Sequence, residues 1–184
     1  MIDVLIYLIL FAVIGTFAYA AIIAAPWVWT KRKDLDFLFQ HIEIGAGKKV
    51  YDLGCGDGAV LFFLARKYPE AQYVGFEISV LPFVIAIARK LIGGQKYRHV
   101  EIKYHNFYNQ SLREADLVFV FLMPKAYGRL QKKFAKELKD EAIVIAETWR
   151  IGDAEELKII KKDGMVPYFL YRGKQFRQET IKLG

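Results

Sequence analysis

Glycines and aspartates recur at close spacing between residues 52 and 58, where they could bind a nucleotide-like ligand. The run reads Asp-Leu-Gly-Cys-Gly-Asp-Gly, follows a short apolar strand pattern and precedes an apolar helical pattern that begins at Ala59. Closely spaced glycines let the backbone bend sharply and approach a ligand without an intervening Cβ. The first turn of the following helix presents free N–H groups. The pattern therefore predicts a strand–turn–helix ligand site.

Two kinds of cofactor fit this run. Residues 54–59 match the looser dinucleotide fingerprint, with Glu77 about 20 residues further on for a ribose hydroxyl. Asp52 at the strand tip and Asp57 in the turn would repel a pyrophosphate, but they suit a ligand that carries an ammonium and a sulfonium, such as S-adenosylmethionine (SAM). The run closely resembles the first motif of class I SAM-dependent methyltransferases, and Glu77 resembles their ribose-binding acid. A glycine-rich turn without a ligand is the third interpretation.

The methyltransferase resemblance implies a role for each cofactor residue. Asp52 would accept a hydrogen bond from the methionine ammonium, Gly54 and Gly56 would let the backbone close on the ligand, and Ile78 would pack on the adenine. Asn106 matches a polar position that often holds the adenine amino group, although a turn residue is an equal alternative. Cys55 is expected to fill space between two glycines rather than act as a nucleophile. The predicted cofactor-binding residues are Asp52, Gly54, Cys55, Gly56, Glu77, Ile78, Asn106 and Phe107.

Periodicity predicts a mostly parallel α/β sheet whose last strand is antiparallel. Strand patterns fall at residues 49–52, 72–76, 100–104, 117–122, 141–147, 157–161 and 166–171. Helical patterns fall at residues 34–44, with Asp34 as a candidate N-cap, and at 59–68, 80–92 and 126–138. The gaps between the third and fourth and between the fifth and sixth strands are too short for full crossover helices, so a trimmed Rossmann-like methyltransferase fold is expected.

The N-terminal segment carries no charge between Val4 and Trp29, which exceeds the roughly 20 residues that cross a bilayer. We therefore predict a transmembrane anchor over residues 1–25, in contact with lipid from Ile2 to Ala25. Basic residues at 31–33 then place the remainder on the cytosolic (or matrix) face. A cleaved signal peptide and a buried helix are the alternatives. The remaining predicted units are an interfacial segment and helix at 26–48 and a methyltransferase domain at 49–184.

Composition narrows the partners only partly. The 184-residue chain has a net charge of +7 and a single cysteine, so an internal disulfide is excluded. Nucleic acid competes with a lipid surface for the positive charge, but we consider it the less favoured partner. The three histidines, at 41, 99 and 105, have no metal-ligand spacing, so no metal is expected.

A second resemblance covers nearly the whole chain. The apolar N-terminal run leads into Pro26-Trp27-Val28-Trp29-Thr30, and then come a short helix, the glycine motif, residues 121–124, a Lys-rich helix and Glu147-Thr148-Trp149. This order is similar to that of the membrane-anchored protein-lysine methyltransferases of the ATP synthase c-subunit and adenine nucleotide translocase type, and of their prokaryotic relatives. Trp29 stands where that family has a second proline, and residues 147–149 replace an Arg-Phe-Pro-like stretch.

The resemblance implies a lysine acceptor, whose amine must lose a proton from a reference pKa of about 10.4. An aromatic-lined mouth would lower that pKa and hold an alkylammonium by cation–π contact. Glu147 and Trp149 are the candidate catalytic residues. The predicted mouth consists of Trp27, Trp29, Leu122, Met123 and Pro124.

Other interpretations of the acceptor side remain open. Leu122 to Lys125 lacks the [Asp/Asn]-Pro-Pro-aromatic motif of the DNA and glutamine amino-methyltransferases, which disfavours amide-type chemistry. Trp27 and Trp29 could instead be interfacial anchors, and Trp149 could be a core residue. The functional alternatives are a small-molecule or lipid methyltransferase, a non-catalytic SAM-binding membrane protein and an NAD-binding reductase.

Overall fold

Short apolar runs separated by glycine or polar turns form one seven-stranded sheet. The computed structural model describes residues 2–23 and 30–177. The strands are β1 (Lys49–Leu53), β2 (Gln72–Glu77), β3 (Val100–Tyr104), β4 (Leu117–Val120), β5 (Ile143–Glu147), β6 (Lys158–Ile160) and β7 (Tyr168–Arg172). The helices are α1 (Ile2–Ile23), α2 (Arg32–Leu38), α3 (Ala59–Lys67), α4 (Val80–Gly93) and α5 (Pro124–Glu137). The strand and helix order that the sequence predicts is thereby confirmed.

The strand order across the sheet is β3-β2-β1-β4-β5-β7-β6. Strands β1 to β5 are parallel to one another, whereas β7 pairs antiparallel with β5 and β6. The order reverses between β1 and β4. In open α/β sheets ligands bind outside the carboxyl ends of the strands at such a reversal, so the topology places a ligand site beside the ends of β1 and β4.

Two of the crossover connections are short. The stretch between β3 and β4, residues 105–116, contains only a 3-10 turn at Phe107–Asn109. The stretch between β5 and β6, residues 148–157, contains no helix. The predicted absence of full crossover helices from these two stretches is confirmed. Both connections are short loops without an α-helix.

Helices cover both faces of the sheet, as parallel strands require. On one face α5 buries Leu130 and Phe134 against the strands. On the other face α2 and α3 bury Leu35 and Leu61. The side chains of Val50 and Tyr51 pack into opposite layers, because neighbouring residues of a strand point to opposite faces.

Helix α2 is shorter than the pattern over residues 34–44 predicts. Beyond Leu38 the backbone carbonyls are bonded by side chains instead of by helical N–H groups. Lys67 donates to the carbonyl of Phe39 at 2.6 Å, and the Tyr68 hydroxyl donates to the carbonyl of Ile42 at 2.9 Å. Side chains at the end of α3 thus take the place of the N–H groups that would have continued α2.

The prediction of a single-pass membrane protein with its domain on the cytosolic or matrix face is wrong. Across residues 2–23 and 30–177, no helix is both long enough and apolar enough to cross a bilayer. Helix α1 instead contacts α4, where the Thr16 hydroxyl accepts a hydrogen bond from the Val80 amide at 3.3 Å. Neither the membrane anchor nor the predicted lipid contact is therefore retained.

Candidate active site at the carboxyl edge of the sheet

The glycine turn after β1 has a backbone that only glycine adopts readily. The φ angles of Gly54, Gly56 and Gly58 are 82°, 55° and 75°. A Cβ on Gly58 would lie 2.6 Å from the ring of Phe62, and one on Gly54 would lie 3.2 Å from Leu122. The backbone conformation therefore favours glycine at all three positions, and close packing favours it again at Gly54 and Gly58.

Glu77, at the end of β2, fixes this turn to the neighbouring loop. Its Oε2 accepts a hydrogen bond from the Gly56 amide at 2.8 Å, and its Oε1 accepts from the amides of Ile78 and Ser79 at 2.9 and 2.7 Å. An ionised carboxylate offers about four acceptor positions. Three are used by the backbone, which leaves Oε2 one position for a further donor such as a ribose hydroxyl.

Asp52 is a buried acid at the end of β1. Only 4% of the residue is exposed, and its carboxylate has no hydrogen bond or ion pair within the described parts of the chain. Burial, followed by the charges of Glu77, Glu147 and Asp57, raises the pKa of Asp52 well above its usual range. A cation beside Asp52 would lower its pKa and stabilise the ionised form.

Asp57 has a structural role that the sequence did not reveal. Its carboxylate accepts a hydrogen bond from the Ala59 amide at 3.3 Å and forms an ion pair with Arg89 of α4 at 2.5 Å. Asp57 is thus paired within the protein, and Asp52 is the acid left to meet a cationic ligand.

The remaining predicted cofactor residues are unequally placed. The Cys55 side chain is buried against β2, so that a Cβ on Gly75 would lie 2.6 Å from its sulfur, and burial raises the pKa of the thiol well above its usual range. Ile78 is half-buried, and Asn106 caps the 3-10 turn by accepting from the Tyr108 amide at 3.0 Å. Phe107 is buried in the core layer beneath α5. Their contacts with a cofactor stay predictions.

The predicted substrate mouth is only partly described. Leu122 is buried beside the glycine turn, whereas Met123 and Pro124 are exposed at the start of α5. Trp149 is 43% exposed, which disfavours a core role. Trp27 and Trp29 lie outside the described residues.

Glu147 is a second buried acid, at the end of β5. The residue is 2% exposed, and its Oε2 accepts a hydrogen bond from the Thr30 hydroxyl at 2.8 Å. Burial raises the pKa of Glu147 to about 7, with Asp34 acting in the same direction and the hydrogen bond from Thr30 opposing it. Glu147 therefore changes charge near neutral pH.

The backbone directly after Glu147 is strained. Thr148 has a φ of 74°, which is unusual for a β-branched residue. The Trp149 amide donates to the carbonyl of Glu147 at 2.9 Å, so residues 147–149 form a tight turn closed by a hydrogen bond between its first and third residues. Strain of this kind costs about 1–3 kcal/mol and is concentrated at functional sites.

Sequence reasoning missed three residues around Glu147, namely Thr30, Asp34 and Tyr168. Asp34 looked like an N-cap, but Lys31 occupies that position and Asp34 lies buried in the first turn of α2. Tyr168 is paired with Glu147 across β5 and β7. The adjacency of these residues depends on the folded sheet, and only the buried strand pattern of β7 gave a signal.

Comparison with known proteins identifies the family. A sequence model of the ANTKMT methyltransferase domain matches residues 52–158, which is more than half of the chain. The chain belongs to this methyltransferase family. It is a SAM-dependent methyltransferase, and its cofactor is SAM rather than a dinucleotide.

Relatives and structural neighbours agree with this assignment. The chain is similar to a protein-lysine N-methyltransferase of Saccharolobus islandicus, with 29% identity over 79% of this chain and 91% of the relative. It is also 29% identical to (S)-coclaurine N-methyltransferase of Papaver somniferum, over 61% of this chain but only 33% of that enzyme. An RNA methyltransferase from Salinibacter ruber, solved with S-adenosyl-L-homocysteine, has the same fold, with a TM-score of 0.73 and 21% identity. The match covers 79% of this chain and 93% of that chain.

The residues of the methyltransferase fit its cofactor. SAM carries an ammonium and a sulfonium, and the buried Asp52 carboxylate would have its raised pKa lowered by such a ligand. Glu77 retains one acceptor position for a ribose hydroxyl. The glycine turn provides the close backbone approach.

Proposed function

We propose that this methyltransferase transfers the methyl group of SAM to the side-chain nitrogen of lysine in a protein. The observation that carries the proposal is the alignment with the Saccharolobus islandicus protein-lysine N-methyltransferase over 91% of that enzyme. The buried acid on the acceptor side, Glu147, supports an amine acceptor, because a carboxylate attracts an ammonium and accepts its proton.

On the cofactor side, the residues of the chain bind SAM and orient it. Asp52 accepts a hydrogen bond from the methionine ammonium, and Glu77 holds a ribose hydroxyl while it fixes the glycine turn. Ile78, Asn106 and Phe107 belong to the adenine side. SAM supplies a methyl group on a positively charged sulfur, so the protein must align the reactants rather than activate a leaving group.

On the acceptor side, the task is to hold a lysine and remove one proton. The amine enters past Met123, Pro124 and the exposed Trp149, with Leu122 beneath them. Glu147 receives the proton, since its pKa of about 7 allows it to be ionised at neutral pH. Trp27 and Trp29 are proposed to complete this mouth from the segment before α2. Residues 26–48 would then form the acceptor side of the domain at 49–184.

A small-molecule amine is the second candidate acceptor. The similarity to (S)-coclaurine N-methyltransferase supports it, since that enzyme's name identifies an N-methyltransferase. The match covers only a third of the plant enzyme, however, and the short connections at residues 105–116 and 148–157 provide little chain to enclose a small ligand. A protein acceptor, which does not need full enclosure, is the better fit.

The test is a methylation assay with the full chain and tritium-labelled SAM. The acceptors are poly-L-lysine and a cell extract, and the products are hydrolysed in acid and separated by chromatography. We expect label in ε-N-methyllysines with the wild-type protein and, at a SAM concentration too low to fill the weakened site of Asp52→Asn, its loss with that variant. Label confined to the small-molecule or lipid extract would contradict the lysine proposal.

A further inference from the structure

A second pair of acids lies away from the glycine turn, where α2 meets the end of β5. Asp34 and Glu147 are 4% and 2% exposed. Asp34 follows Thr30 by four residues in the chain, the Thr30 hydroxyl donates to Glu147 at 2.8 Å, and Tyr168 is the register partner of Glu147 on β7, so the three residues belong to one region of the fold. Two buried carboxylates placed together repel each other unless a cation or a proton lies between them.

The Asp34 carboxylate lacks a partner within the described parts of the chain. The Asp34 amide bonds to the carbonyl of Lys31 as part of the helix start. Among residues 30–177, however, its carboxylate accepts no hydrogen bond and forms no ion pair, although three basic residues, at 31–33, immediately precede it. A buried charge without a partner is strongly unfavourable. A cationic ligand would supply the partner that this carboxylate lacks.

We propose that Asp34 and Glu147 form the binding site for the substrate's alkylammonium group, and that Glu147 is the group that takes its proton. The inference rests on the proposed function, whose acceptor is an amine. Asp34 lies on the opposite side of the cation, while Glu147 changes protonation state. Thr30 is a positioning residue, which holds the Glu147 carboxylate through its hydroxyl at 2.8 Å, and Tyr168 lies opposite Glu147 on β7.

The proton balance of the step is simple. One proton leaves the substrate ammonium and binds a carboxylate oxygen of Glu147. The nitrogen lone pair that is freed forms the N–CH3 bond, and the electron pair of the broken S–CH3 bond stays on sulfur. Glu147 then returns its proton to solvent before the next turnover.

Several groups face Glu147 and set its titration. Asp34 faces it from α2, Tyr168 from β7, Asp52 from β1 and Tyr127 from α5. The negative charge of Asp34 raises the pKa of Glu147, and the hydrogen bond from Thr30 lowers it. Changes at these two positions must therefore move the titration of Glu147 in opposite directions.

The first test measures binding without turnover. The full chain is saturated with S-adenosyl-L-homocysteine, so that Asp52 is not available to bind the amine. Binding of n-butylammonium is then measured by saturation-transfer NMR, with n-butanol as the neutral control. Asp34→Asn and Glu147→Gln are expected to weaken butylammonium binding at least tenfold. The matched control is Asp36→Asn, because Asp36 lies exposed on the same helix and its change is expected to leave the affinity within twofold.

The second test uses the pH profile of kcat. Asp34→Asn should move the acid limb to lower pH, and Thr30→Val should move it to higher pH, whereas a merely structural role would move neither limb. Thr30→Val also tests the site should Asp34→Asn fail to fold. Equal butylammonium affinity in Asp34→Asn and Asp36→Asn, or unshifted limbs, would overturn the inference. If the wild type binds butylammonium through Asp34 but methylates no lysine, the proposed function fails and the cation site stands.

Discussion

The cofactor end of the site and its acceptor end are built from different kinds of sequence. At the cofactor end, a contiguous run from Asp52 to Gly58 supplies the turn, and one acid, Glu77, joins it through the Gly56 amide to the loop at Ile78 and Ser79. At the proposed acceptor end, Thr30, Asp34, Glu147 and Tyr168 come from three distant segments. The first end is a local backbone structure, whereas the second exists only once α2, β5 and β7 are packed together.

The difference teaches how specificity is distributed in this fold. A contiguous glycine turn binds a cofactor that many enzymes share. The acceptor end depends on a segment before the sheet and on a strained turn at Thr148, so it is free to change without disturbing the cofactor site. Substitutions at each end should therefore have separable effects on SAM affinity, methyl transfer and stability.

Glu147→Gln should reduce kcat by about 10²–10⁴-fold, the usual contribution of a positioned acid or base. The glutamine keeps the shape of the side chain and the bond from Thr30, but it takes up no proton. The affinity for SAM, measured by calorimetry, should stay within threefold. A kcat within threefold of the wild type would show that Glu147 is not the proton acceptor.

Glu77→Ala should lower the free energy of unfolding by about 3 kcal/mol or more, because the amides of Gly56, Ile78 and Ser79 lose their acceptor and each unsatisfied buried group costs about 1–3 kcal/mol. The measurement is urea unfolding followed by circular dichroism. An unchanged unfolding midpoint would mean that the turn is held by other contacts.

The pH dependence of stability should report Glu147 in the wild type. Its pKa is raised from 4.5 to about 7 in the folded state, so the folded protein binds more protons than the unfolded chain between these values. The contribution of Glu147 to stability is therefore complete below pH 4.5 and is lost as pH rises through 7, by at most about 3 kcal/mol. Urea unfolding at pH 5 and 8 should show a smaller decline in Glu147→Gln. Equal declines would contradict the buried titration.

Asp52→Asn should weaken SAM binding by about 10–150-fold, since a hydrogen bond to a charged group contributes about 1.5–3 kcal/mol. The fold should be retained, because the carboxylate accepts no hydrogen bond from the described residues and its removal relieves a buried charge. Calorimetry measures the affinity. Leu53→Val, at the next residue of β1, serves as the control for packing, and an Asp52→Asn affinity equal to that of the control would argue against the ammonium contact.

Thr148→Gly should raise the free energy of unfolding by about 1 kcal/mol, because glycine adopts a φ of 74° without the strain of a β-branched residue. Thr148→Ala keeps the positive φ and is the matched control. We expect no change in SAM affinity from either variant. A loss of stability in Thr148→Gly would mean that the threonine side chain contributes more than its backbone strain costs.

Much of the fold could be predicted from local patterns. Periodicity and spacing are properties of neighbouring residues. They predict where β1 and β2 end, near Asp52 and Glu77, and they also predict the glycine turn and the two short crossovers. The length of α2 could not be predicted, because Lys67 and Tyr68 bond carbonyls beyond its end. The ion pair of Asp57 with Arg89 and the burial of Asp34 beside Glu147 are likewise tertiary facts without a local signal.

Single-turnover methyl transfer, measured over SAM concentrations up to saturation, tests whether the two ends have separate tasks. The Asp52→Asn and Glu147→Gln variants are compared with the wild type on the same lysine acceptor while the SAM concentration is raised. The rate of Asp52→Asn should approach the wild-type rate once its weakened cofactor site is filled, and the rate of Glu147→Gln should stay low at every concentration. Recovery of Glu147→Gln by added SAM would place Glu147 at the cofactor end and contradict the account.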